Sequence, residues 1–98
     1  VKVVIEEIAY ADVDDIAAFY EKQRKGTASY FVRRFSECVL ALQTTGGTHR
    51  KRQDYHFCMV KKFPVGVFYK VDEGIVRIRG VMDCRRSPRW IRSQLRDL

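Results

Sequence analysis

Cysteine, histidine and proline are all scarce in this chain of 98 residues, which has three, two and two of them. Cys38, Cys58 and Cys84 are odd in number and form no C-x-x-C pair, which argues against a disulfide scaffold and against zinc. They read as free thiols, buried or half-buried. His49 and His56 have no cysteine at ligand spacing, so neither a metal nor a cofactor is expected. No apolar run approaches the roughly 20 residues that span a bilayer. The opening Val1–Ile5 is cut short by Glu6-Glu7, unlike a secretory signal. These absences favour the cytoplasm and leave no role for a membrane. Repeats, low-complexity stretches and linkers are missing too, so residues 1–98 are expected to form a single domain with one modest core.

What is present is a globular composition with lopsided charge. Hydrophobic residues make up 46% and charged ones 32%, a balance that buries a core and excludes a disordered chain. The net charge of +7 is concentrated in one half. Residues 1–42 carry six Lys/Arg against seven Asp/Glu, whereas residues 43–98 carry thirteen against five. A basic half of this kind points to an acidic partner, either nucleic acid or an acidic protein segment.

Periodicity gives the elements. Lys2–Ile8 reads as a first strand. A helix opening at Ala11-Asp12, with Asp12 as N-cap, carries the stripe Val13, Ile16, Ala17 and Tyr20 and stops at Gly26. Thr27 caps a second helix with the stripe Phe31, Phe35, Cys38, Val39 and Leu42, ended by Thr44–Gly47. The short Gly26-Thr27 link makes the two an antiparallel hairpin. His49–Gln53 is a basic loop or strand entry, and such a charge run is ordinarily a solvated face. Tyr55–Lys62, Val65–Val71 and Ile75–Cys84 read as strands, with Pro64 at one turn and Asp72-Glu73-Gly74 at the next. Pro88 opens a closing helix, Arg89–Leu98, with Trp90, Ile91, Leu95 and Leu98 on its apolar side. The expected class is α+β in the order β-α-α-β-β-β-α: an antiparallel four-stranded sheet with the helical hairpin packed on one face and a short C-terminal helix.

Simple alternation on the last strand turns Val76, Ile78, Gly80, Met82 and Cys84 under the helices and leaves Arg77 and Arg79 outside, with Arg85 and Arg86 just beyond. Four arginines so placed repel one another unless an anion joins them. Guanidinium matches carboxylate and phosphate bidentately, so these four are the leading candidates for partner contact, with Arg89 and Trp90 beside them. The plain alternative is a solvated basic face. Trp90 suits a stacking role and equally suits an anchor for the last helix. His56 has the pKa range of a general base but no neighbour in sequence that orients it. Lys61 and Lys62 read as a solvated strand end with a weaker claim to contact.

The element order resembles the RelE/ParE superfamily of bacterial toxins, the toxin halves of type II toxin–antitoxin operons. The residues that carry the resemblance are F-P-V-G-V-F-Y-K-V at Phe63–Val71 and V-M-D-C-R-R-S-P-R at Val81–Arg89. The resemblance implies two branches. RelE-like members cut messenger RNA on the ribosome, with basic side chains on the middle strands stabilising the charge of in-line attack. ParE-like members lack that chemistry and poison DNA gyrase. Where the nuclease branch places basic residues, this chain has Phe57, Cys58 and Met59; Gly66 replaces an arginine, and Asp83 stands where many relatives carry histidine. Arg85 and Arg86 remain, with Trp90 roughly where a nuclease-type tyrosine would sit. That pattern favours the ParE-like, non-enzymatic reading. The alternatives are a metal-independent endoribonuclease using Arg85, Arg86, Lys61, Lys62 and His56, or an inactive binding module. In each toxin reading the resemblance implies a cognate antitoxin, acidic and partly disordered until it binds.

Overall fold

The computed structural model describes residues 1–98. The order along the chain is β1 (Lys2–Ile5), α1 (Glu7–Gln23), α2 (Thr27–Thr45), β2 (Lys51–Arg52), β3 (Tyr55–Met59), β4 (Val65–Asp72), β5 (Ile75–Asp83) and α3 (Pro88–Arg96). The sheet has five strands in the order β1-β5-β4-β3-β2. The expected four antiparallel strands need two corrections. Lys51–Arg52, within the basic stretch, pairs with Tyr55–His56 as an extra edge strand. The first strand lies parallel to the last, with Lys2 opposite Ile75 and Ile5 opposite Ile78. The helical hairpin carries the chain from β1 across the sheet, and β2–β5 then meander back until β5 offers β1 its free edge. Nothing in K-V-V-I encodes the direction of pairing; the connection does.

Helices cover both faces, not one. Val67 and Tyr69 of β4 point into the larger core with Phe31, Phe35, Leu42, Val76 and Ile78, beneath the hairpin. Phe68 between them points the other way, to a smaller cluster with Tyr55, Met82, Ile91 and Leu95 beneath α3. Period-two alternation on β4 thus feeds two cores. At the hairpin's turn end, Tyr20, Tyr30 and Phe31 pack their rings around Phe63, with centroids 4.9 to 5.4 Å from it.

A β-bulge resets β5. Tyr69 pairs with Ile78 and Phe68 with Gly80, so Arg79 has no opposite number. One extra residue inverts the alternation beyond it. Val76 and Ile78 face the hairpin as expected, but past the bulge it is Val81 that joins them. Met82 and Cys84 turn to the α3 side instead. The expected run from Val76 to Cys84 on one face therefore breaks at Arg79.

Two caps also differ from expectation. The first helix starts at Glu7, well before Asp12, which leaves Asp12 inside it. Beyond Ile5 the β5 edge has no strand beside it, and the Asp12 carboxylate fills the gap by accepting the Val81 N–H at 3.0 Å. Burial pushes its pKa up, opposed by the Val81 hydrogen bond. The second helix is not capped by Thr27. Glu21 reaches over from α1 and accepts the N–H groups of Gly26 and Ala28 at 3.1 and 3.0 Å. Gly26, at φ +91, takes the left-handed turn between the helices.

Candidate functional site

The arginine cluster begins where β5 ends. Asp83 closes a tight turn: its Oδ1 accepts the Arg85 N–H at 2.9 Å, and its carbonyl accepts the Arg86 N–H at 3.2 Å. The same carboxylate then takes the Arg85 guanidinium, Nη2 at 2.7 Å and Nε at 3.1 Å. That fork is a bidentate pair, and it holds the Asp83 carboxyl below the usual carboxylate range. Arg86 follows a different course. Its guanidinium lies 3.9 Å from the centroid of the Trp90 ring, a cation–π contact. The first turn of α3 fixes Trp90 in place, because Ser87 Oγ accepts the Trp90 N–H at 3.1 Å and Pro88 fills the position that needs no donor. Arg89 is exposed on the same turn.

The other two arginines lie farther up β5. Arg77 Nε is 3.9 Å from Asp72, and Arg79 Nε is 3.7 Å from Glu6. Arg77, Arg79 and Arg85 thus each have a carboxylate from within the chain. Three of the four cations are met by anions within the chain, which relieves part of the expected repulsion. Glu6 gave no signal as a partner because it lies seventy-three residues from Arg79. Arg86 and Arg89 are the members of the six-residue set without a carboxylate in salt-bridge range.

Trp90 and Arg86 border a cavity of about 420 Å³ between α1 and the end of β5. Its other walls include Asp12, Asp15, Phe19 and Tyr20. The Tyr20 hydroxyl is buried there without a hydrogen-bond partner, and burial raises its pKa. Trp90 is half-buried, packed on the α3 core as well as lining the cavity.

Lys61 and Lys62 sit in the turn that adjoins the end of β5, where Cys84 N–H donates to the Pro64 carbonyl at 2.8 Å, but His56 belongs elsewhere. His56 stacks on Tyr69 with ring centroids 5.2 Å apart, and its Nδ1 donates to the His49 carbonyl. The Tyr69 hydroxyl meets His49 Nδ1 at 2.6 Å and accepts the Gly47 N–H at 3.0 Å. This His49–Tyr69–His56 group anchors the loop before β2. Its members come from separate elements, so spacing gave no hint of it. His56 is level with Tyr69 and Ile78, five residues along the strands from Asp83. At strand rise that is roughly 16 Å from the Arg85 turn. Lys61 and Lys62 are exposed in the β3–β4 turn, where Lys62 has φ +74. The sheet does not bring a base and the arginines around one phosphate-sized point, which general acid–base chemistry needs. No group of three or more His, Cys, Asp or Glu side chains is placed to hold a metal ion.

The hairpin contributes a surface that charge and motif reading missed. Ile8, Tyr10, Phe19, Val32 and Leu40 are exposed, at 40% to 63% of their area. Tyr10, Val32 and Leu40 line a groove of about 530 Å³ between α1 and α2, floored by Val13 and Phe35. The signal was available: these residues are apolar but lie off the stripes that face the sheet. No helix is long and apolar enough to cross a membrane.

No protein-family model matches the sequence, and no curated protein matches it significantly. Solved structures do match its fold. A chain of the chromosomal ParDE TA (toxin–antitoxin) system from P. aeruginosa superposes with a TM-score of 0.74 at 17% identity, over 84% of this chain and 94% of that one. The isolated E. coli RelE toxin superposes with a TM-score of 0.56 at 13% identity, over 99% and 98%. The chain has the fold that these two structures share.

Proposed function

We propose that this protein is the toxin component of a bacterial type II toxin–antitoxin system, of the ParE-like kind. It acts in the cytoplasm by binding an essential macromolecule, DNA gyrase by resemblance, and is silenced by a cognate antitoxin. The observation that carries the reading is the separation of His56, the would-be base, from the arginines. Arg85 is occupied by Asp83, and His56 lies roughly 16 Å away along the strands, anchored to His49. Arg86, Arg89 and Trp90 remain as a cationic, aromatic patch suited to gripping a carboxylate or phosphate on a large partner. The better superposition on the ParDE chain than on RelE supports the same branch.

The antitoxin reading draws on two surfaces. The basic half attracts an acidic segment over distance. The apolar groove on the hairpin offers a disordered segment the buried area that offsets its ordering entropy. Full-length similarity of fold to RelE keeps one rival in view, ribosome-dependent cleavage of messenger RNA.

Induction of the chain in bacteria without its antitoxin separates the two. The expected result is growth arrest with gyrase–DNA cleavage complexes and loss of supercoiling activity. Codon-phased cuts in ribosome-bound messenger RNA, with gyrase unaffected, would replace this reading with the nuclease one. A folded chain that causes no arrest would reduce it to a binding module.

A further inference from the structure

Two of the three thiols meet where α2 crosses β3. Cys38 and Cys58 are twenty residues apart in sequence, yet their Sγ atoms stand 3.0 Å apart. A disulfide holds its sulfurs at about 2.05 Å, so closure needs an approach of only about 1 Å. Both residues are half-buried, and both line a groove of about 230 Å³ that opens beside Arg34, His49, Met59 and Lys61. A small reagent therefore reaches them from solvent. Either S–H can donate across this contact, and the sharing lowers the Cys38 pKa while raising that of Cys58. Cys84 is on the other face of the sheet, packed against the α3 cluster with its Sγ 3.8 Å from the Met82 carbonyl.

We propose that Cys38 and Cys58 form a reversible dithiol–disulfide site, closed by exchange with a small anionic disulfide of the glutathione type. The Cys38 thiolate attacks one sulfur of the reagent, whose S–S bond breaks and releases one thiolate. The resulting mixed disulfide at Cys38 is then attacked by Cys58. A new Cys38–Cys58 bond forms, the second reagent thiol leaves, and two thiol protons pass to the two released thiolates. One disulfide is consumed and one is made, so the exchange balances. Lys61 and Arg34 at the groove supply cationic groups for the reagent's carboxylates, although Arg34 already pairs with Glu37 at 3.0 Å. The bond pins the helical hairpin to β3 and encloses the loop that carries His49 and Arg50–Arg52. This site is independent of the toxin reading.

The test uses the purified full chain, oxidised glutathione, an acid quench, and maleimide labelling under denaturing conditions. The reduced protein should label at three cysteines, and the oxidised protein at one, Cys84, while remaining monomeric and about 2 Da lighter. Dithiothreitol should restore all three. C84S should pass from two labels to none. C58S should instead stop at a glutathione adduct on Cys38. The oxidised chain should melt roughly 10 °C higher than the reduced one, because the bond closes a native contact. Three labels retained on the folded wild-type chain, a bond that involves Cys84, or cross-linked dimers would each overturn the proposal.

Discussion

Replacing Asp12 with alanine removes the acceptor of a backbone N–H that has no other partner in the fold. Val81 is 2% exposed, and its N–H points from the β5 edge, past the end of β1, to the Asp12 carboxylate. Leaving a buried donor unpaired costs about 1–3 kcal/mol. For a domain of this size that lowers the melting temperature by about 4–8 °C per kcal/mol. The carboxylate itself is a compromise, because burial has raised its pKa. The D12N variant keeps an oxygen acceptor at this position and removes the charge, so it should match or exceed the wild type near neutral pH. A folded-state pKa raised above the unfolded one means that the wild type gains stability in the protonated form, below the unfolded pKa, and loses it as pH rises through the folded pKa. The advantage of D12N should therefore grow across that window and vanish in acid. Urea denaturation of wild type, D12A and D12N at several pH values measures all of this. Equal midpoints for D12A and wild type, or a D12N as weak as D12A, would refute the account.

Four further outcomes follow from contacts already described. Y69F leaves the Gly47 N–H and His49 Nδ1 without the hydroxyl, and should lose about 1–2 kcal/mol in denaturant titration. G46A drives a methyl into the Val76 side chain and towards the Leu42 carbonyl, and should lose about 1–3 kcal/mol by the same measurement. R85A should move the Asp83 carboxyl pKa upward in an NMR titration. The sign follows from the present lowering: stability from this pair is present above the unfolded pKa and lost as pH falls through the folded one, so the mutant should weaken at a higher pH than the wild type. In the induction assay, R86A combined with R89A should abolish growth arrest, while R77A combined with R79A, whose partners lie within the chain, should leave most of it; the reverse ranking would place the contact surface on β5 itself.

Local patterns were legible in the sequence and long-range ones were not. The α2 stripe could be read because 3.6-residue spacing sorts Phe31, Phe35 and Leu42 to one side, and all three are buried. Pro88 marked the start of α3 through its fixed φ. The bulge was invisible because Gly80-Val81-Met82 is apolar in both phases, so inverting the alternation leaves no polar residue stranded in a core. Asp12 looked like a cap because helix-start signals are local, whereas its partner Val81 is sixty-nine residues away. The arginines were legible as a cluster, but their internal partners Glu6, Asp72 and Asp83 were not assigned. Pairing across a sheet depends on register, and register depends on the bulge. The exposed apolar groove had a signal in the off-stripe residues Tyr10, Val32 and Leu40, which two-sided helices expose whenever one face is already committed to the sheet.

The parallel pairing of β1 with β5 has a consequence for when the protein becomes whole. Val3 meets Val76 and Ile5 meets Ile78, so the first strand made waits for almost the last. During synthesis the hairpin and the β3–β4 pair can assemble, but the edge of the sheet stays open until the chain past Ile78 has emerged. Contacts of such sequence separation slow folding, because the closing loop costs entropy before any pairing repays it. The turn that presents Arg85, Arg86 and Trp90 follows directly after β5. A nascent chain from which β5 has not yet emerged therefore lacks both its closing strand and its contact patch. Amide exchange at Val3 and Val4 in the free protein would report how firmly that late closure holds.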